Sequence, residues 1–314
     1  MQLNLPFARK STGNEVHLVG RRFMILAAVI PPLIFYAVWL VIPMIYSLIG
    51  SLYDWNPYAP EATYVGLGNF AEALTQDPLV GKSLVNVVYY VVLTLPLGAA
   101  LALIVAVMIN SLPRLKGLYR VIYFLPVVTS AVAVSVLWRW LYQQRFGLFN
   151  QVLNIILVDT LHLDVNPNVQ WLTSPQIAMP SVAAMVIWQG LGFTMVLFLA
   201  GLSSIPQELY EAAKIDGAGA WQRFRGITIP LLQPTMVFVL VTGLIGGMQV
   251  FTPMYVMTQG GPVNATKTIV FHLYQKAFTL FRFGYASSLA FILFAIILTL
   301  TLIQIRFLRT RWQY

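Results

Sequence analysis

The 314-residue chain has no cysteine, which excludes a disulfide framework, a thiol nucleophile and a thiolate metal site. Charge is scarce too: Asp, Glu, Lys and Arg make up only 9% of the residues. They are missing altogether from six long apolar runs, 23–53, 83–113, 121–138, 165–207, 226–266 and 283–305, and His17, His162 and His272 also fall outside them. Carriers driven by protons or sodium place ionisable groups or unwound helix ends near the bilayer midplane. No run here offers a carboxylate, so ion coupling is reduced to sodium held by backbone carbonyls. A glycine-rich phosphate loop ending in Lys and Ser or Thr is likewise missing, which argues against ATP binding by this chain. Paired acids, a metal-ligand cluster or a nucleophile beside a base occur in none of the runs, and Ser130, Ser181 and Ser287 have no titratable neighbour in theirs. Hydrolase and transferase chemistry therefore finds no starting point.

What is present is apolar: 59% hydrophobic residues and a mean hydropathy of +0.76 describe an integral membrane protein. Each of the six runs supplies one helix crossing about 30 Å of hydrocarbon, so the fold class is all-α with six transmembrane helices. The chain divides into a tail (1–22), a first span (23–53), a loop (54–82), a five-helix core (83–308) and a second tail (309–314). The first run is too long for the apolar part of a cleaved signal peptide and reads as a retained span. Placing the connections alternately on two sides puts 13 of the 19 Lys and Arg, from Arg9 to Arg311, on one side. That side is cytoplasmic by the positive-inside bias, so both termini and the connection at 203–234 face the cytoplasm and loop 54–82 lies outside. The net charge of +9 is then topological, and nucleic acid is not an expected partner.

The segment 203–234 is a polar island in an apolar half. Ser204 and Gln207 have the spacing of a capping box with Pro206 in the first turn. Glu208 and Glu211 follow towards the helix's positive end and Lys214 towards its negative end, and Gly217 is placed to end the helix in the left-handed region. A second short helix with Trp221, Arg223, Phe224 and Arg225 runs to Gly226. An amphipathic helix lying on lipid explains that polarity, but not the spacing of Glu211-Ala212-Ala213, Gly217, Ile227 and Ile229-Pro230.

That spacing resembles the EAA loop of permease subunits of ATP-binding-cassette importers, with Ile229 where relatives carry leucine. The resemblance implies a MetI-like permease fold in a bacterial or archaeal cytoplasmic membrane. The loop, through Glu208, Glu211, Ala212, Ala213, Asp216, Gly217 and Ala218, would dock an ATPase. It also implies two ATPase copies that bind the ATP and magnesium, a second homologous permease, and an extracytoplasmic binding protein, with lipid around the spans. This chain itself is then no enzyme and holds no cofactor. A passive solute channel is the reading from a different class, and the cytoplasmic helix pair argues against it.

Further pieces resemble the carbohydrate branch of these importers, similar to maltose and glycerol-phosphate permeases: Gly66 to Phe70, Leu125-Pro126, Phe146-Gly147 with Asn150, Trp188 with Gly190, and Thr258 to Pro262. The expected solute is a sugar or oligosaccharide, with glycerol 3-phosphate or another polar solute as the alternative. The resemblance places a substrate path at Gln189, Gly190, Phe193, Thr194, Met248, Gln249, Phe251 and Tyr255. Helix packing by small and polar residues, notably Gly243, Gly246 and Gly247, is the competing explanation. The segment 266–282 carries an apolar stripe, Ile269, Val270, Leu273, Tyr274, Ala277, Phe278 and Phe281, and reads as a helix lying at the outer interface or receiving the binding protein.

Overall fold

The computed structural model describes residues 13–59, 61–163 and 168–308, with side chains from Met24 onward. The chain opens with α1 (Gly13–Tyr36), a π turn over Ala37–Val41, and α2 (Ile42–Gly50). From Met24 to Gly50 this rod is apolar and none of it is buried within the chain. Strands β1 (Tyr53–Asp54) and β2 (Thr63–Tyr64) pair antiparallel, the only strands among the described residues. Helix α3 (Gly68–Thr75) is fastened to them by the buried Asn69, whose Nδ2 donates to the carbonyls of Ser51 and Tyr53 at 2.9 Å each. Asn69 belongs to the Gly66 to Phe70 stretch.

Helix α4 (Pro78–Ser111) begins at Pro78, five residues before the expected boundary at Ser83. The Asp77 carboxylate accepts from Leu79 N at 3.0 Å, and proline suits the first turn. Lys82 is tolerated one turn into the helix because its ammonium reaches out to the Val263 carbonyl at 2.7 Å.

The third run does not form one straight crossing. Helices α5 (Lys116–Val128) and α6 (Ala131–Leu141) meet at 93°. Pro126 sits in the last turn of α5, and Thr129 and Ser130 take ψ of 146° and 130°, which no helix continues through. After α7 (Leu148–Asn154), α8 (Ala178–Ser203) forms a straight span within the fourth run. Asn150 clips α7 to the chain ahead of α8: its Nδ2 donates to the Gln144 and Val169 carbonyls, and its Oδ1 accepts from Trp171 Nε1.

The polar connection folds as α9 (Gln207–Ile215), α10 (Ala220–Arg223) and α11 (Ile229–Leu231), joined by a π turn over Phe224–Thr228. A bend of 63° then leads into α12 (Gln233–Met248). The second short helix thus runs on past Gly226 towards the span. Helix α13 (Ile269–Tyr274), a π turn over Gln275–Thr279 and α14 (Phe283–Leu308) complete the chain. Four helices among the described residues are long and apolar enough to cross a membrane, and the two bent pairs bring the number to six where each pair is one span.

Two apolar cores lie along the bundle. One, at the α3 end, gathers Val87, Tyr90 and Val91 of α4, Met185 of α8, Met248 of α12 and Leu289 of α14. The other, at the α9 end, gathers Ala102, Ala106 and Ile109 of α4, Met195, Phe198 and Leu202 of α8, and Val239 of α12. On α4, α8 and α12, which take part in both cores, much of the stretch between them borders open space.

Candidate functional site

A cleft of about 510 Å³ occupies that middle zone, lined chiefly by α4 from Tyr90 to Ala99, α8 from Val186 to Leu197 and α12 from Val239 to Gly247, then by Val250 to Pro253. Small residues shape it. A Cβ at Gly190 or Gly246 would meet nothing within 4 Å, so these two open onto space, whereas at Gly247 it would lie 2.9 Å from Val91 Cγ2 and at Gly243 it would collide with Leu95. Gly243 and Gly247 therefore serve close packing of α12 on α4, and Gly190 and Gly246 leave room. The lining is polar in places, with Tyr90, Thr94, Gln189, Thr194, Thr242 and Thr252, and no Lys, Arg, Asp, Glu or His belongs to it.

Of the expected path residues, Gln189, Gly190, Phe193, Thr194 and Phe251 line this cleft. Gln189 also has a structural partner, its Nε2 donating to the Thr129 carbonyl at 3.3 Å, where the α5–α6 break leaves that group without a helical acceptor role. Met248 is 1% exposed and sits in the core. Gln249 was expected on the path, but α12 ends at Met248 and Gln249 is the exposed residue that caps it, with φ −101° and ψ 12°. Tyr255 stands outside the lining and stacks on Phe251, ring centroids 5.2 Å apart. The α4 contribution, Tyr90, Thr94 and Gly98, was missed. Its only sequence signal is a polar or small residue every fourth position in a run that has small residues throughout.

At the α9 end, Ser204 and Gln207 do not form the expected capping box. Ser204 caps the preceding α8 instead, its Oγ donating to the Gly201 carbonyl at 2.8 Å, and α9 starts after Pro206 with no side-chain cap. Only the reach-back half of such a box occurs, ahead of α10, where Gln222 Oε1 accepts from Gly219 N at 2.7 Å and the glycine has no side chain to complete it. Gly217 does end α9 with φ +80°, and the chain closes over it with Ala218 N to Ala213 O at 2.8 Å and Gly217 N to Lys214 O at 3.1 Å, the two bonds of a Schellman motif. Glu208, Glu211, Ala212, Asp216 and Gly217 are exposed, and Ala213 and Ala218 half-buried. The most exposed apolar side chains of the loop are Ile215 at 87% and Trp221 at 69%. Ile215 was not singled out in sequence. One polar contact ties α9 to the segment that leads into α12: the Tyr210 and Thr228 hydroxyls lie 2.9 Å apart.

The α3 end carries the ion pairs. Asp77 Oδ2 accepts from His272 Nε2 at 3.0 Å, Lys276 Nζ at 2.9 Å and Tyr285 Oη at 2.9 Å, and Arg282 grips Glu72 through two bonds of 2.6 and 2.7 Å. Segment 266–282 packs one side into the protein. Ile269, Phe271, His272 and Ala277 are buried, and Lys276 turns inward to Asp77. Burial works to raise the Asp77 carboxyl, but hydrogen bonds from Lys276, His272 and Tyr285 outweigh it and hold the group far below the usual carboxylate range. Burial pushes His272 down, against the pull of Asp77, so its ring is neutral with Nε2–H donating.

The pH response has a definite sign. His272 has a depressed folded-state pKa, so its contribution is present above the ordinary 6.5 and is lost as pH falls below it. Asp77, also depressed, keeps its contribution until far lower pH. The unfolding midpoint in detergent is expected to drop between about pH 7.5 and about pH 5.5, and His272→Gln, which keeps a donor but cannot titrate, should flatten that drop. Asp77→Asn should lower stability at neutral pH by about 2 kcal/mol, between the values for exposed and buried pairs. An unchanged pH slope in His272→Gln would remove the ring from this account.

Comparison with known proteins places the chain. The model of the family described as binding-protein-dependent transport system inner membrane component matches residues 7–313. The chain is 33% identical to the lactose transport system permease of Rhizobium radiobacter, over 90% of this chain and 93% of that one. It is 34% identical to the diacetylchitobiose uptake system permease of Streptomyces coelicolor, over 85% and 77%. Against the trehalose/maltose transport system permease of Thermococcus litoralis the figure is 31%, over 90% and 92%. The fold is shared with a chain in the crystal structure of a bacterial alginate ABC transporter in complex with alginate pentasaccharide-bound periplasmic protein, with a TM-score of 0.79 at 24% identity, covering 96% of this chain and 98% of that one.

Proposed function

We propose, from the premise that the chain belongs to the family of binding-protein-dependent transport system inner membrane components, that it is the permease subunit of an ATP-binding-cassette importer for a neutral sugar or oligosaccharide. The observation that carries the solute class is the cleft: polar and aromatic groups line it without a single ionisable side chain except the Tyr90 phenol. A saccharide presents hydroxyls and C–H faces to such a surface, whereas glycerol phosphate would find no cation there to offset the cost of leaving water. The relatives named for lactose, diacetylchitobiose and trehalose/maltose agree with this.

In this reading the energy comes from two copies of a partner ATPase, which hold the ATP and magnesium, and this chain is not an enzyme. The exposed face of α9, with Glu208, Glu211, Ala212 and Asp216 beside Ile215, fits a surface groove of that ATPase as a short helix. Its movement reaches the spans through Gly217 and the Tyr210–Thr228 contact. Both termini are cytoplasmic, a second homologous permease completes the path, and a binding protein delivers the sugar at the α3 end.

The subunit alone in liposomes is expected to be silent, and ATP-dependent uptake of sugar should appear only with the second permease, ATPase and binding protein added. Appreciable flux through the lone subunit without ATP would favour a passive channel. Thr194→Val, at a hydroxyl that lines the cleft, should raise the half-saturation of uptake about three- to tenfold, the worth of one neutral hydrogen bond, with assembly and ATPase rate retained. Unaltered uptake kinetics would return Thr194 to a helix-packing role.

A further inference from the structure

Helix α13 and the π turn after it present two faces. His272 and Lys276 are held on one by Asp77. Two positions further on, about 200° around the helix, Tyr274 and Phe278 lie on the other, and the Asp77 contacts keep that face from rotating. The Tyr274 ring centroid is 4.9 Å from that of Phe251, 5.4 Å from Tyr255 and 5.1 Å from Phe278. Phe251 lines the cleft. Phe251, Tyr255 and Tyr274 thus touch one another in a triangle beside the cleft, and Phe278 extends it by one ring.

Aromatic clusters ordinarily stabilise by being buried, yet Tyr255 here is 44% exposed and Phe278 56% exposed. No charged side chain takes part, since Lys276 is turned to Asp77 and Arg282 to Glu72. Apolar rings with two phenolic hydroxyls, joined through Phe251 to an uncharged cleft, match the C–H faces and hydroxyls of linked sugar rings.

We propose that Phe278, Tyr274, Tyr255 and Phe251 form an entrance ladder along which a neutral saccharide passes ring by ring from the outer end into the cleft. The proposal rests on the saccharide reading given above. The ladder supplies stacking without tight binding, so the sugar advances by exchanging one ring face for the next.

The test uses the complete importer, both permeases with ATPase and binding protein, reconstituted in liposomes with radiolabelled lactose, maltose and diacetylchitobiose as probes. Sugar moved per ATP hydrolysed is the quantity compared. Tyr274→Leu and Phe278→Leu keep apolar volume but remove the ring, and each should lower that ratio about tenfold. Tyr274→Phe, which keeps the ring, should recover most of it. A change confined to thermal stability, with the ratio at its wild-type value in both leucine variants, overturns the ladder and leaves the saccharide reading standing. Loss of the second permease from leucine variants on co-purification would mark this face as a subunit interface and also overturn it. If the wild-type importer hydrolyses ATP and moves none of the three probes, the saccharide reading fails and the ladder with it.

Discussion

Gly217→Val is expected to leave the subunit inserted in the membrane while solute transport falls about 5- to 30-fold. The substitution isolates a backbone effect, because a Cβ at Gly217 meets nothing within 4 Å. What valine cannot accept is the φ of +80°, which costs an L-residue about 1–2 kcal/mol or more, and more with a branched Cβ. Relief of that strain opens the bonds from Ala218 N to Ala213 O and from Gly217 N to Lys214 O. The last turn of α9 then frays and the helix no longer holds its angle to α10. A factor of 5 to 30 in the populated conformation is what about one or two kcal/mol amounts to. Glu211→Lys reaches the same outcome by reversing an exposed charge at the docking face. Insertion survives in both, because neither touches a span or the charge bias that orients it. Insertion, ATPase co-purification and solute-stimulated ATP hydrolysis should be measured on the same preparations. If both variants insert, keep the ATPase and couple normally, α9 is not the coupling element.

The second large effect is on the fold. Gly192 lies where α8 crosses α5, and a Cβ there would collide with the Tyr123 carbonyl oxygen and stand 2.8 Å from Phe124 Cα. Both obstacles are backbone, so no rotamer change relieves them. Gly192→Ala should separate the two helices at a cost of about 3 kcal/mol, the upper end for overpacking, and depress the yield of assembled protein. Gly190→Ala is the internal control, one helical step away with open space around its Cβ, and should fold as the wild type does. Equal thermal stability of the two variants would mean that α5 and α8 are free to part at this crossing.

The apolar helices that could cross a membrane were legible because uncharged runs of span length leave few alternatives, although two of the six runs fold as bent pairs, and Gly217 was legible because the position demands an uncommon φ. Helix boundaries were less so. Charge marked the start of α4 at Ser83, but the Asp77–Pro78 cap decides it, and Lys82 escapes through a contact 181 positions away in sequence. Ser204 illustrates a different limit. Its residue type suits either end of a helix, and only the distance between α8 and α9 assigns it to the former. In the cleft, five of the eight expected residues border the space, while Met248 packs into the core and Gln249 moved to a helix end because α12 stops there. The pairing of Asp77 with His272 and Lys276 had no local signal at all. His272 was set aside for lying outside the apolar runs, although it is among the most buried side chains in the protein.

The separation of the packing into two cores has a mechanical consequence. A bundle with one core moves as a block, but α4, α8 and α12 are gripped at both ends and pass a middle zone bordered by Gly98, Gly190 and Gly246. Such a waist would serve as a fulcrum: a helix tilting about it would travel in opposite directions at its two ends, so that drawing the α9 ends together would spread the opposite ends without any change in the helices themselves.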